Sequence, residues 1–115
     1  AAIVDSSHEA IIGQSLDGTI TSWNKGAERI FGYTAEEVVG HSIRRLIPPE
    51  LQHQEKDILA KLRKGQRIEH FETVRITKSG ERLDISLAIS PIRNDRDEAL
   101  ALLQKIAAAK GLVKA

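Results

Sequence analysis

The sequence predicts an α+β domain in which helices cover one face of an antiparallel sheet. Three observations carry this. Two apolar-rich runs are joined by Asp17-Gly18, capped helical segments fill residues 24–64, and a period-two pattern runs from Leu83 to Ser90. At 115 residues the chain holds one core and no second one. Its 41% hydrophobic and 29% charged residues suit a folded globular domain and argue against disorder.

The first run, residues 10–16, and the second, Thr19-Ile20-Thr21-Ser22-Trp23, form a hairpin. Asp-Gly between them predicts a type I′ turn, which needs positive φ at both central residues. Asn24 offers an N-cap oxygen to a short helix through Ala27-Glu28-Arg29-Ile30-Phe31, and Gly32 stops it. Thr34-Ala35-Glu36-Glu37 has the form of a capping box, opening a second short helix that Gly40 closes. Ser42 caps a further turn through Ile43-Arg44-Arg45-Leu46-Ile47.

Pro48-Pro49 breaks that turn, and Pro49 suits the first position of the next helix. This longer helix runs to Lys64, with Leu51, Ile58, Leu59 and Leu62 along one stripe, and Gly65 ends it. Residues 68–77 are rich in β-branched and aromatic side chains and lead into the turn Lys78-Ser79-Gly80-Glu81. Leu83, Ile85, Leu87 and Ile89 then alternate with Asp84, Ser86, Ala88 and Ser90, a strand with one buried face. Pro91 ends the clean alternation, and Asn94-Asp95-Arg96-Asp97 forms a polar loop.

The ordered set resembles the PAS sensory domain family in its bacterial signalling form. The resemblance lies in Asp17-Gly18-Thr19-Ile20, Trp23-Asn24, Ala27-Glu28, Phe31-Gly32-Tyr33, Glu36-Glu37-Val38 and Gly40. It continues through Ile47-Pro48, Lys78-Ser79-Gly80 and Ile89-Ser90-Pro91-Ile92, so residues 1–95 read as the domain core. The resemblance implies a five-stranded antiparallel sheet whose facing helices enclose a cavity. It also implies a sensory input module that binds a small apolar ligand or a partner, pairs as a homodimer, and relays a conformational change to an attached effector such as a histidine kinase. A ligand-free dimerisation or structural domain is the alternative. A cytoplasmic location follows from the same resemblance.

The tail, residues 96–115, departs from the pattern. By propensity Glu98 to Lys110 is helical. Yet Lys105-Ile106-Ala107 resembles the end of the family's last strand, which lies at the centre of the sheet. A strand over 98–107 and a replacement helix both stand as readings. The chain begins Ala1-Ala2 and contains no methionine. Together with the tail this reads as an excised or processed piece of something longer, or as an engineered or chimeric variant.

Candidate cofactor-binding residues lining the implied cavity are Ile12, Trp23, Ile30, Phe31, Ile43 and Leu46 from the first half. From the second half come Ile47, Leu51, Phe71, Val74, Leu87 and Ile89. Each has an equally plain role as core. Zero cysteine removes thiolate metal sites, cysteine nucleophiles and the thiol-adduct photochemistry used by the light-sensing branch of the family. Non-covalent flavin is disfavoured by the 3% aromatic content. Haem is disfavoured because His53 is out of register: the position of the family's axial ligand falls nearer Glu55. His8, His41 and His70 are scattered, without a helical i, i+4 pair, so no metal site is expected.

No P-loop, nucleophile motif or paired catalytic carboxylates occur, so an enzyme is not expected. Seventeen basic against sixteen acidic residues, without a long block of either sign, argue against a nucleic-acid surface. No run approaches the roughly 20 apolar residues of a membrane span.

Overall fold

The computed structural model describes residues 8–108. Five strands form one antiparallel sheet in the order β2-β1-β5-β4-β3. They are β1 (Ala10–Ser15), β2 (Ile20–Trp23), β3 (Ile68–Ile76), β4 (Arg82–Arg93) and β5 (Ala99–Ala108). Three helices, α1 (Lys25–Phe31), α2 (Ala35–Val38) and α3 (His53–Arg63), and two 3₁₀ turns, Ile43–Leu46 and Pro49–Leu51, lie between β2 and β3.

The predicted hairpin forms, with a different turn. Asp17 does not have positive φ; Gly18 does, at 92°. The Gly18 N–H donates to the Ser15 carbonyl, and the Ser15 N–H donates to the Thr19 carbonyl. The loop is therefore three residues closed by a left-handed glycine, not a two-residue type I′ turn. Beyond it Gly13 lies opposite Ser22, whose Oγ accepts from the Gly13 N–H and would meet a Cβ at 2.5 Å, so any larger residue there must push the Ser22 hydroxyl aside. The register slips by one residue there, a bulge that sharpens the twist of the ribbon.

The caps fold as their chemistry dictates. Asn24 Oδ1 accepts from the Ala27 N–H at 2.9 Å and also from the Ile11 N–H at 2.9 Å, tying α1 to the first strand. Gly32 closes α1 in the left-handed region, and Thr34 and Glu37 complete a reciprocal capping box on α2. Pro49 opens a 3₁₀ turn that leads into α3 rather than the first turn of α3 itself. The segment after α2 is stitched to the hairpin, with Ile20 N–H donating to His41 O and Ile43 N–H to Gly18 O, each at 2.8 Å.

Residues 99–108 form a strand, not the helix that propensity favours. β5 pairs with β1 on one side and with β4 on the other. Without it, both neighbours would present unpaired backbone groups inside the domain, and the backbone hydrogen bonds of two long ladders outweigh a propensity difference of a few tenths of a kcal/mol per residue. Leu102, Gln104 and Ile106 point inward and Ala101, Leu103 and Lys105 outward, the period of two that a strand requires. No helix among the described residues is long and apolar enough to cross a membrane.

Candidate functional site

The space between sheet and helices divides into a closed half and an open half. In the closed half Phe31, Ala27 and Val38 are fully buried. Trp23 leans on Phe31 at 5.7 Å between ring centroids and meets Tyr33 edge-on at 6.5 Å. Its indole N–H donates to the Tyr33 carbonyl at 2.9 Å, which meets the need of a buried tryptophan for a partner.

The open half holds a cavity of about 20 Å³, room for about one water molecule. Ile43, Leu46 and Ile47 of the 3₁₀ turn form one wall, and Ile58 and Leu59 of α3 form the roof. Ile89, Leu102 and Ile106 of the sheet form the floor. Into this apolar box project four polar side chains: Gln14 from β1, Gln104 from β5, Arg75 from β3 and Glu55 from α3.

Each arrives there through a local pattern. Gln14 shares the inward face of β1 with Ile12, and Gln104 sits between Leu102 and Ile106 on the inward face of β5. Glu55 precedes Ile58, Leu59 and Leu62 by three, four and seven residues, which sets it on the apolar stripe of α3. Gln14 and Gln104 satisfy one another, the Gln104 amide donating to Gln14 Oε1.

The charged pair is less settled. Arg75 is buried, and its Nη1 donates to Gln54 Oε1 at 3.1 Å and to the Val74 carbonyl at 2.8 Å. Burial pulls its pKa down to about 10, opposed by the negative charge of Glu55, so it stays cationic at neutral pH. Glu55 Oε1 accepts from Arg44 Nε at 3.0 Å at the rim. Its other oxygen, Oε2, is buried and has no hydrogen-bond partner among the described residues. A Cβ on Gly18 would fall 2.7 Å from that oxygen, so the glycine that turns the hairpin also lets the carboxylate pack beneath it.

Of the sequence candidates, Ile43, Leu46, Ile47 and Ile89 line this cavity. Ile12, Trp23 and Leu87 are buried in the packed core outside it. Ile30 and Phe31 border an open groove beside the β3–β4 turn, and Phe71 borders a groove between α3 and β3 that also contains His53. Leu51 and Val74 are half-buried. All four histidines are exposed, and no group of three His, Cys, Asp or Glu side chains gathers among the described residues. Sequence reasoning passed over Gln14, Arg75 and Gln104. The signal for each was a polar residue at an inward-facing position of a strand.

A family model described as PAS fold matches residues 1–106. Among solved structures, the chain is similar to a PAS domain from Colwellia psychrerythraea, with 23% identity, 90% of this chain and 88% of that one covered, and a TM-score of 0.83. It is similar to the light-state dimer of the fungal blue-light photoreceptor Vivid, with 23% identity, 90% and 79% coverage and a TM-score of 0.74. The PAS domain of the fruit-fly ELK potassium channel is 16% identical, with 90% and 89% coverage and a TM-score of 0.73. At these identities the likeness establishes the fold alone. A search of the curated proteins by sequence finds no match.

Proposed function

The chain belongs to the PAS family, and from that premise we propose that it is a sensory input module whose signal begins in the cavity beneath α3. The supporting observation is the convergence of four polar side chains from four separate elements on one small apolar cavity. A core built only for stability gains nothing from burying Arg75 and Glu55, because desolvation of such a pair commonly exceeds its Coulombic return. Polar groups held in an apolar box are the usual form of a small-molecule site.

In this reading Ile43, Leu46, Ile47 and Ile89 contact the ligand, and Leu87, on the same inward face of β4 as Ile89, supports them. Leu102, Gln104 and Ile106 carry the change into β5, the central strand, and so into the sheet that presents the domain to an attached effector such as a histidine kinase or to a second copy. The module transmits and does not catalyse.

One observation favours a second reading. Room for about one water is too little for haem, flavin or a fatty acid in this conformation. A ligand-free dimerisation domain would look the same. The two separate on a direct experiment. Purified protein is denatured, released small molecules are identified by mass spectrometry, and melting is followed against haem, flavins, fatty acids and small polar metabolites. A released molecule, or a melting temperature raised by one of the panel, is expected. A protein that releases nothing and melts identically throughout, while sedimenting as a dimer, is the structural domain.

A further inference from the structure

We propose that Asp17-Gly18 is a site of spontaneous main-chain isomerisation that the folded hairpin holds in check, with the Ser15 hydroxyl as its restraint. It is the one Asp-Gly or Asn-Gly pair in the sequence. The chemistry is a property of the pair. The Gly18 nitrogen attacks the side-chain carboxyl carbon of neutral Asp17, the N–H proton and the carboxyl OH leave together as water, and a five-membered succinimide forms. Solvent water then opens the ring at either carbonyl. Opening at the former main-chain carbonyl gives isoaspartate, whose chain runs through Cβ and Cγ and is longer by one methylene. Glycine hinders the attack least, since it has no Cβ beside the attacking nitrogen and leaves the backbone free to rotate.

The turn opposes each requirement. The N–H of the attacking nitrogen donates to the Ser15 carbonyl at 3.0 Å, and Gly18 is buried. Asp17 Oδ1 accepts from the Ser15 hydroxyl and from the Thr19 N–H at 3.2 Å, which ties the carboxyl down on both sides of the turn. Those bonds, the Ser15 hydroxyl first, hold the carboxyl below its ordinary range and so deplete the neutral acid that can lose water. Ser15 thus acts twice, its carbonyl on the nucleophile and its hydroxyl on the group attacked.

The position matters because of what rests on it. The Gly18 carbonyl accepts from the Ile43 N–H at 2.8 Å, and Thr19 bridges to Ser42, so the loop holds the start of the 3₁₀ turn that walls the cavity. The Glu55 carboxylate packs beneath Gly18, where even a Cβ would meet it at 2.7 Å. A three-residue loop closed by Gly18 at φ 92° has no slack for an added methylene. Isomerisation therefore breaks the Gly18–Ile43 bond and uncouples the hairpin from the cavity wall, with no change in mass.

The test is an ageing experiment on the 115-residue chain at neutral pH, native in one arm and unfolded in urea in the other. Isoaspartate at position 17 is read by chromatographic separation of the isobaric peptides and electron-transfer fragmentation. Expected is accumulation in urea, and accumulation about tenfold slower in the native chain, where the turn must open first. Ser15→Thr and Ser15→Val differ only in the hydroxyl. The first is expected to keep the parent rate and the second, checked for a native spectrum, to age about fivefold faster, the factor of one lost hydrogen bond. Ser15→Ala takes the place of Ser15→Val if the branched residue unfolds the chain. Equal rates in the native and urea arms overturn the proposal, as does the absence of isoaspartate in urea. A folded hydroxyl-free variant that ages no faster than Ser15→Thr overturns the restraint assigned to Ser15. Chain aged in urea and refolded supplies the last measurement. Its isoaspartate form should lose the hydrogen-exchange protection of the Ile43 amide, and protection equal to the parent's overturns the coupling to the cavity wall.

Discussion

The two halves of the interior are built on opposite terms. Around Trp23, Phe31 and Val38 the packing is tight, and the indole N–H finds its carbonyl. Around Glu55 and Arg75 a buried carboxylate oxygen is left without a donor, a cation is desolvated, and room remains for a water. The aromatic half is what a core becomes when stability alone shapes it. The cavity half gives up stability at the place where α3 meets the sheet, and regions of low local stability are those from which conformational responses are drawn. Motion is therefore expected at the roof, not at the aromatic corner.

The largest effect lies at Phe31. Its side chain is fully buried against Trp23, and Phe31→Ala is expected to cost roughly 3–5 kcal/mol, measured by urea denaturation. A loss below about 1 kcal/mol would mean that the corner is as loose as the cavity. A smaller effect of mixed sign is expected at the charged pair. Glu55→Leu alone removes the negative charge that opposes the desolvation of Arg75 and, with no direct ion pair to Arg75 to break, is expected to cost about 1–2 kcal/mol. Adding Arg75→Met removes the buried cation itself, so the double variant should equal or exceed the parent in stability. A double variant less stable than Glu55→Leu would show that the pair holds the fold together.

The smallest effect lies on the surface. Exposed Glu50, in the turn before α3, makes two hydrogen bonds to the Arg82 guanidinium at the start of β4. The guanidinium hydrogen bonds hold its carboxyl down at about 2, against an ordinary value of 4.5. Because the folded pKa is the lower one, the clasp is complete above pH 4.5 and is lost as the pH falls towards 2. The protection factors of the α3 amides, which divide out the slowing of intrinsic exchange in acid, should fall over that window, less so at high salt, and Arg82→Gln should remove this component. Exchange that keeps the same pH profile in Arg82→Gln would free the roof from this clasp.

Much of the fold was legible because it is written locally. Asn24 caps α1, Gly32 ends it, Thr34 and Glu37 box α2, and the alternation from Leu83 to Ile89 places one face of β4. Each of these depends on residues within a few positions of one another. The turn at Asp17-Gly18 was read with the right glycine and the wrong geometry, because loop length depends on how β1 and β2 register, and their bulge at Gly13 is not a local property. The site was half legible. Apolar candidates such as Ile43, Leu46 and Ile89 could be taken from hydrophobic pattern, which does not distinguish the wall of a cavity from packed core. The polar members could have been flagged one by one as misfits on apolar faces, but not gathered.

The hairpin, the caps, the longer helix and the alternating strand follow from local sequence, since short-range hydrogen bonding and side-chain periodicity decide those within one or two turns of chain. Only the tertiary structure decided that Ala99–Ala108 is a strand, because its hydrogen-bond partners on β1 and β4 lie up to some ninety positions away, as at Gln14 and Gln104. The same holds for the cavity. Gln14, Glu55, Arg75 and Gln104 sit on four elements, and no propensity or spacing brings them within reach of one another until the central strand closes the sheet.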